Sequence, residues 1–232
     1  MTQDALRAEI CRVGASLHAR GYVHASAGNI SVRTDTGFLI TPTDACLGTL
    51  DAARLSDVNA QGEQVGGDRA SKTLALHRAI YAADPDARCV LHTHATHLVA
   101  LTLSGVWSRD DIVPPITPYY VMKVGHVPLI GYRRPGDPTV ADEVAQRIAQ
   151  ARDRKAPIRA VMLERLGPVV WHRTVTEASA VLEELEETAR LWLLTRPAPL
   201  GDAQIDELRI HFGAAWERQP TRITPCPVSP PT

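Results

Sequence analysis

The sequence predicts an α/β fold: a single α/β/α domain whose central, mainly antiparallel sheet is covered by helices. Three observations predict it. Short β-rich runs come in neighbouring pairs, 29–33 with 37–40 and 159–163 with 168–171, each joined by a turn-length connection. Longer segments with apolar residues at helical spacing lie between these pairs. No regular strand–helix–strand beat runs through the chain, which argues against a doubly wound parallel sheet.

Each element has its own signal. Asp4 to Arg20 carries Leu6, Ile10, Val13 and Leu17 at helical spacing, and Gly21 supplies the stop. The first strand pair turns at Thr34-Asp35-Thr36. A helix is predicted from Ser71, as N-cap, to Ala83. The apolar run Cys89-Val90-Leu91 reads as a buried strand that continues into His92-Thr93-His94, followed by a helix over roughly Thr96 to Leu103. Residues 111–138 are rich in Pro and Gly and read as an ordered loop. Asp137-Pro138 opens a helix running to about Arg154, with Pro at its first position. The second strand pair is split by Leu166-Gly167. Thr176 is predicted to cap a long amphipathic helix carrying Ala180, Leu182, Leu185, Ala189 and Leu193. These elements are expected to form one domain over residues 1–224, with a Pro-rich, disordered tail at 225–232.

Composition narrows the function. The chain has 232 residues, 44% hydrophobic and 22% charged, the balance of a globular protein with a sizeable core. A formal net charge of -1 gives no global field for nucleic acid or an anionic membrane. The N-terminus lacks a basic segment followed by a long apolar one, so no secretory signal is expected, and no stretch is apolar enough to span a bilayer. Cys11, Cys46, Cys89 and Cys226 form no CxxC pair and read as reduced thiols in a cytoplasmic protein.

His92 and His94 are the strongest chemical signal. Residues two apart on a strand share a face, so two imidazoles would stand side by side, ready to begin a divalent metal site. A hydrogen-bonded structural pair is the competing reading. His97 reads either as a support for a ligand or as a core residue. His77 repeats with Leu74, Leu76 and Ile80 and reads as core-facing. His18, His24 and His211 carry no pattern and read as surface residues. His126 and His172 reach a site only if the fold brings them there.

Three polar segments add a second signal. Gly28-Asn29 precedes a strand, Thr41-Pro42-Thr43-Asp44 follows one, and Ser71-Lys72 opens a helix. Singly, each is turn or cap chemistry. Together they offer backbone N–H groups, hydroxyls, an amide and a cation, the inventory that a phosphate monoester needs. Asp44 opposes a phosphate unless it binds something else.

These segments, in this order, resemble the class II aldolase/adducin family, and most of all its 3-oxo-tetronate 4-phosphate decarboxylase branch. The resemblance spans roughly Ala5 to Leu194. It is carried by 28–33 (GNISVR), 41–43 (TPT), 46–48 (CLG), 118–125 (PYYVMKVG), 134–138 (RPGDP), 167–170 (GPVV) and 183–189 (EELEETA). It implies an α/β/α fold, a homotetramer with active sites between subunits, a small-molecule substrate and zinc held by three histidines. Two of these map onto His92 and His94, and the third onto Leu166. The catalytic Glu maps onto Thr73. The phosphate site maps onto Gly28, Asn29, Thr43, Ser71 and Lys72, and a tyrosine from the neighbouring subunit onto Tyr119 or Tyr120. Candidate catalytic positions are therefore Lys72, Thr73 and Tyr120. Asp44 and Tyr119 join the substrate-binding set.

Leu166 cannot bind a metal, and Thr73 is no general base near neutral pH. Three readings stay open. In the first, a divergent lyase acts on a small oxo or hydroxy acid by C–C cleavage or decarboxylation through an enolate, with a replacement ligand such as Glu164, His97 or His172. In the second, the chain is a non-catalytic binding or scaffold member of the family. In the third, the scaffold serves an iron-dependent oxygenase, with Glu164 or Asp44 as the carboxylate.

Overall fold

The computed structural model describes residues 2–217. The expected tail at 225–232 lies outside the described residues. The chain runs α1 (Gln3–Ala19), β1 (Asn29–Arg33), β2 (Gly37–Ile40), β3 (Ser56–Asn59), β4 (Gln64–Gly66), α2 (Leu74–Ala83) and β5 (Cys89–His92). It continues through α3 (Thr96–Ser104), β6 (Leu129–Ile130), α4 (Thr139–Asp153), β7 (Ala160–Leu163), β8 (Gly167–His172), α5 (Val175–Thr195) and α6 (Asp202–Phe212). The strands form one sheet in the order β4-β3-β2-β1-β5-β8-β7-β6. Every neighbouring pair is antiparallel except β6 with β7. This is the predicted α/β/α architecture.

Alternation along the central strands feeds two cores. Leu91, Met162 and Val170 face one side, where they meet Ile10 and Leu17 of α1, Leu98 of α3, Leu185 of α5 and Ile205 of α6. Their chain neighbours Val90, Val161, Val169 and Trp171 face the other side and meet Leu76 and Ile80 of α2 with Val144 and Ile148 of α4. A strand buried on both faces needs apolar residues at every position, and this explains the unbroken run at the start of β5. Full burial of each such Leu, Ile or Val contributes about 1.5–3 kcal/mol.

Several boundaries differ from expectation. Helix α2 starts at Leu74, not Ser71: Ser71 to Thr73 form a turn in which the Ser71 carbonyl accepts from Leu74 N at 3.1 Å. The cap of α5 is Thr174, whose hydroxyl accepts from Glu177 N at 3.1 Å, and not Thr176, which bonds to Glu9 across the surface. Sequence reading missed β3, β4, α6 and the two-residue β6 inside the expected loop at 111–138. Residues Ser56 to Asn59 and Gln64 to Gly66 are short and mostly polar, since they lie toward one edge of the sheet. Within the expected loop at 111–138, residues Tyr120 to Val124 form a turn of π-helix.

Gly167 joins β8 to the end of β5. Its φ of +144° suits glycine, and a Cβ there would lie 1.9 Å from the Thr93 carbonyl oxygen. Gly167→Ala is expected to cost at least about 2 kcal/mol, through backbone strain and a contact that cannot relax. Urea unfolding of the variant beside the parent chain measures it; an unchanged midpoint would mean that the two strand ends can separate freely.

Candidate functional site

The antiparallel register brings three strand ends together. In the β1–β5 ladder Asn29 lies opposite His92, and in the β5–β8 ladder Val169 does. His92 is buried on the α2/α4 side of the sheet, in parity with Val90. Its Nδ1–H donates to the Pro168 carbonyl at 2.9 Å, because a carbonyl can only accept. That bond fixes the tautomer and leaves the Nε2 lone pair available, the arrangement that supports a metal-bound histidine. Burial, followed by the neighbouring His94, holds the His92 pKa at about 4, so the ring is neutral at pH 7.

His94 is not on the strand: β5 ends at His92, and the chain turns into α3 at Thr96. The two imidazoles still meet, with ring centroids 5.1 Å apart and planes inclined by 63°. The pair suits zinc by donor type and spacing. Leu166, at the third position, offers no donor. Among the described residues, no group of three or more His, Cys, Asp or Glu side chains stands ready-made for a metal ion.

The polar segments also come together. Thr41 sits beside β1, its backbone N donating to the Ile30 carbonyl at 2.9 Å and its hydroxyl accepting from Ile30 N at 3.1 Å. Pro42 bridges to Ala70, and Thr43 N donates to the Arg69 carbonyl at 2.8 Å, so the Thr43 turn lies against Ser71. The Ser71 and Thr73 hydroxyls are 3.0 Å apart. Gly28 is needed at φ +84°, since a Cβ would lie 2.8 Å from the His92 carbonyl oxygen. Asn29 Oδ1 is buried without a partner. Asp44 is exposed, in a left-handed turn at φ 59°.

On the α2/α4 side, one cavity of about 130 Å³ includes Lys72, Thr73, His92, Arg133, Glu164 and Leu166 in its lining. Thr73 and Leu166, the positions onto which the resemblance maps a glutamate and a histidine, therefore line the same space as His92. Of the replacement ligands, Glu164 is in the cavity, but one carboxylate oxygen accepts from Tyr132 N at 2.9 Å. His97 Nδ1 is held by Glu186 at 2.8 Å. His172 pairs with Cys89 at the far end of β5 and bonds to Glu177, so the fold keeps it away from His92. Tyr120, expected to be catalytic, is fully buried with its hydroxyl on the Val113 carbonyl at 3.4 Å. The apolar face of the π-turn draws it inward. Tyr119 is 61% exposed and is the tyrosine free to meet a neighbour.

Sequence reasoning missed three participants. His24, read as a surface residue, brings its ring to 6.1 Å from that of His94; no periodicity marks a loop residue, so no local signal exists. Arg133 and Arg134 line the cavity from the loop before α4. Their signal is a pair of adjacent cations, Arg134 opening the Arg134-Pro135-Gly136-Asp137-Pro138 stretch that carries the resemblance and Arg133 directly before it. His77 is core-facing as expected, but it is also polar-linked: Nδ1 bonds the Ser31 hydroxyl at 2.7 Å, which meets the Tyr81 hydroxyl at 2.8 Å. Its Nε2 is buried without a partner.

Burial, with a lesser push from His92, lowers the His77 pKa to about 3. The unfolded chain, with a pKa near 6.5, then binds the proton first as pH falls. Stability therefore declines below about pH 6.5 and stops declining only near the folded-state pKa. His77 alone should remove about 2 kcal/mol between pH 7.5 and 5 in metal-free protein. Urea unfolding across that range measures the slope, and His77→Gln should flatten it; an identical slope in the variant would assign the acid sensitivity elsewhere.

Known proteins share both sequence and fold. The family described as Class II Aldolase and Adducin N-terminal domain matches residues 8–193. A 3-oxo-tetronate 4-phosphate decarboxylase from Cupriavidus necator is 57% identical over 222 residues, covering 93% of this chain and 99% of the relative. The crystal structure of YgbL from Escherichia coli superposes with a TM-score of 0.82 at 41% identity, covering 89% of this chain and 99% of that one. That of L-fuculose-1-phosphate aldolase from Thermus thermophilus gives a TM-score of 0.69 at 28% identity, covering 84% and 96%. With the family spanning most of its length and the shared fold carrying His92, the polar turns and the cavity at one end of the sheet, the chain belongs to the class II aldolase/adducin family.

Proposed function

We propose that this chain is a carbon–carbon lyase that decarboxylates a small phosphorylated 3-oxo acid. The observation that carries this reading is His92, locked by Pro168 with its Nε2 lone pair free, in a cavity it shares with Lys72 and Arg133. The named activity of the Cupriavidus necator relative supports it.

Thr73 and Leu166 bear on which lyase step is feasible. Aldol cleavage needs a base to remove a hydroxyl proton, and Thr73 is a poor one. Loss of CO2 from a 3-oxo acid needs no base. The bond to the carboxylate breaks, CO2 leaves, and the electron pair passes into the adjacent carbonyl as an enolate. A proton then adds to carbon. Decarboxylation therefore tolerates Thr73 where aldol cleavage does not.

The polar turns supply the phosphate contacts: N–H groups around Gly28 and Asn29, and the hydroxyls of Thr43 and Ser71. Lys72, at the rim of the same cavity, places a cation beside the developing oxyanion. Arg133 and Arg134 hold the carboxylate before it departs. Tyr119 is the residue placed to reach the site of a neighbouring subunit, within the homotetramer that belongs to this reading. A divalent metal, zinc by donor type, would be held by His92 and His94 and would supply Lewis-acid polarisation of the substrate oxygens. The scaffold and iron-dependent readings gain no support from the relatives, which are named as a decarboxylase and an aldolase.

Purified chain should release CO2 from a phosphorylated 3-oxo acid, and Lys72→Ala should lower kcat/KM by about tenfold or more. Turnover of an aldol substrate with none of the oxo acid would reverse the assignment. In metal analysis, His92→Ala combined with His94→Ala should empty the chain; undiminished zinc would remove these residues from the ligand set. Leu166→His with Thr73→Glu should raise zinc affinity, and no gain would mean that the cavity has reshaped around leucine.

A further inference from the structure

We propose that His24 is the third metal ligand of this chain, taking the role that Leu166 cannot fill. The inference rests on the reading of His92 and His94 as metal ligands and adds a residue that the family resemblance does not supply.

Spacing is the first support. Two imidazoles on one tetrahedral zinc, with Zn–N bonds of about 2.0–2.1 Å, have ring centroids about 5 Å apart. His92 and His94 stand at 5.1 Å. His94 and His24 stand at 6.1 Å, so they need to approach by about 1 Å. Both pairs are steeply inclined, at 63° and 73°, and neither pair is stacked.

The root of the His24 loop is fixed beside His92, while its side chain is free. Val23 is buried, and its Cγ1 and the His92 carbonyl oxygen each lie 2.8 Å from where a Cβ on Gly28 would stand. The His24 carbonyl accepts from Ala27 N at 2.9 Å, which closes a turn. The His24 ring itself is exposed and has room to change rotamer. Glu164, in the cavity with His92, has one carboxylate oxygen already taken by Tyr132 N.

Chelator-treated full-length chain titrated with cobalt(II) chloride tests this, with uptake read by equilibrium dialysis and by visible absorption. His24→Ala should weaken cobalt binding at least about tenfold. His24→Cys should bind cobalt and show a near-ultraviolet thiolate charge-transfer band that the parent chain lacks. Unchanged affinity in His24→Ala, or a cobalt-loaded His24→Cys without the new band, overturns the assignment. If His92→Ala with His94→Ala abolishes uptake in that same series, the metal reading survives without His24. A parent chain that takes up no cobalt overturns both.

Discussion

The antiparallel register of β1, β5 and β8 is the constraint on which the rest of the site depends. It sets Asn29 and Val169 on either side of His92, and it brings the Pro168 carbonyl to the His92 ring. A slip of one residue in either ladder would turn His92 to the opposite face of the sheet and lose that bond. Gly167 holds the register at its weakest point, where β8 begins against the Thr93 carbonyl with no space for a side chain. The two-sided core then makes the register costly to change, since Val90 and Leu91 are each buried in a different layer.

Around that fixed point the site divides into a conserved-looking frame and an altered centre. The polar turns at Gly28-Asn29, Thr43 and Ser71 are tied to one another by backbone bonds, so the frame holds whatever fills the middle. In the middle, Thr73 and Leu166 offer the cavity neither a strong base nor an imidazole. The two residues point the same way chemically. A base is needed to start aldol cleavage and is dispensable for losing CO2, while a missing imidazole is replaceable from any loop that reaches His94. The loop carrying His24 reaches His94 with its ring exposed and its root already anchored.

Much of the fold was legible because its signals are local. Helix α1 shows its stripe, β1 and β2 show their turn, and β5 and β8 show the unbroken apolar runs that two-sided burial demands. The elements that escaped reading carry little periodicity of their own: β3 and β4 are short and polar, and the π-turn at Tyr120 to Val124 follows from packing. The same distinction explains the helix starts. Ser71 and Ser or Thr residues near it all have capping chemistry, and Thr174 and Thr176 are equally suited to cap α5, so only the backbone path chooses between them.

For the site, sequence alone determined the residue types: two imidazoles two apart after a buried strand, hydroxyl- and glycine-rich turns, and a threonine and a leucine at positions 73 and 166. Tertiary structure decided what meets what. It moved His94 off the strand yet kept it 5.1 Å from His92, buried Tyr120 while exposing Tyr119, and brought His24 to His94 across 70 residues of chain. Those outcomes depend on long-range packing and on which carbonyl a ring nitrogen finds. A one-dimensional pattern records neither, because its information ends at the periodicity of a single element.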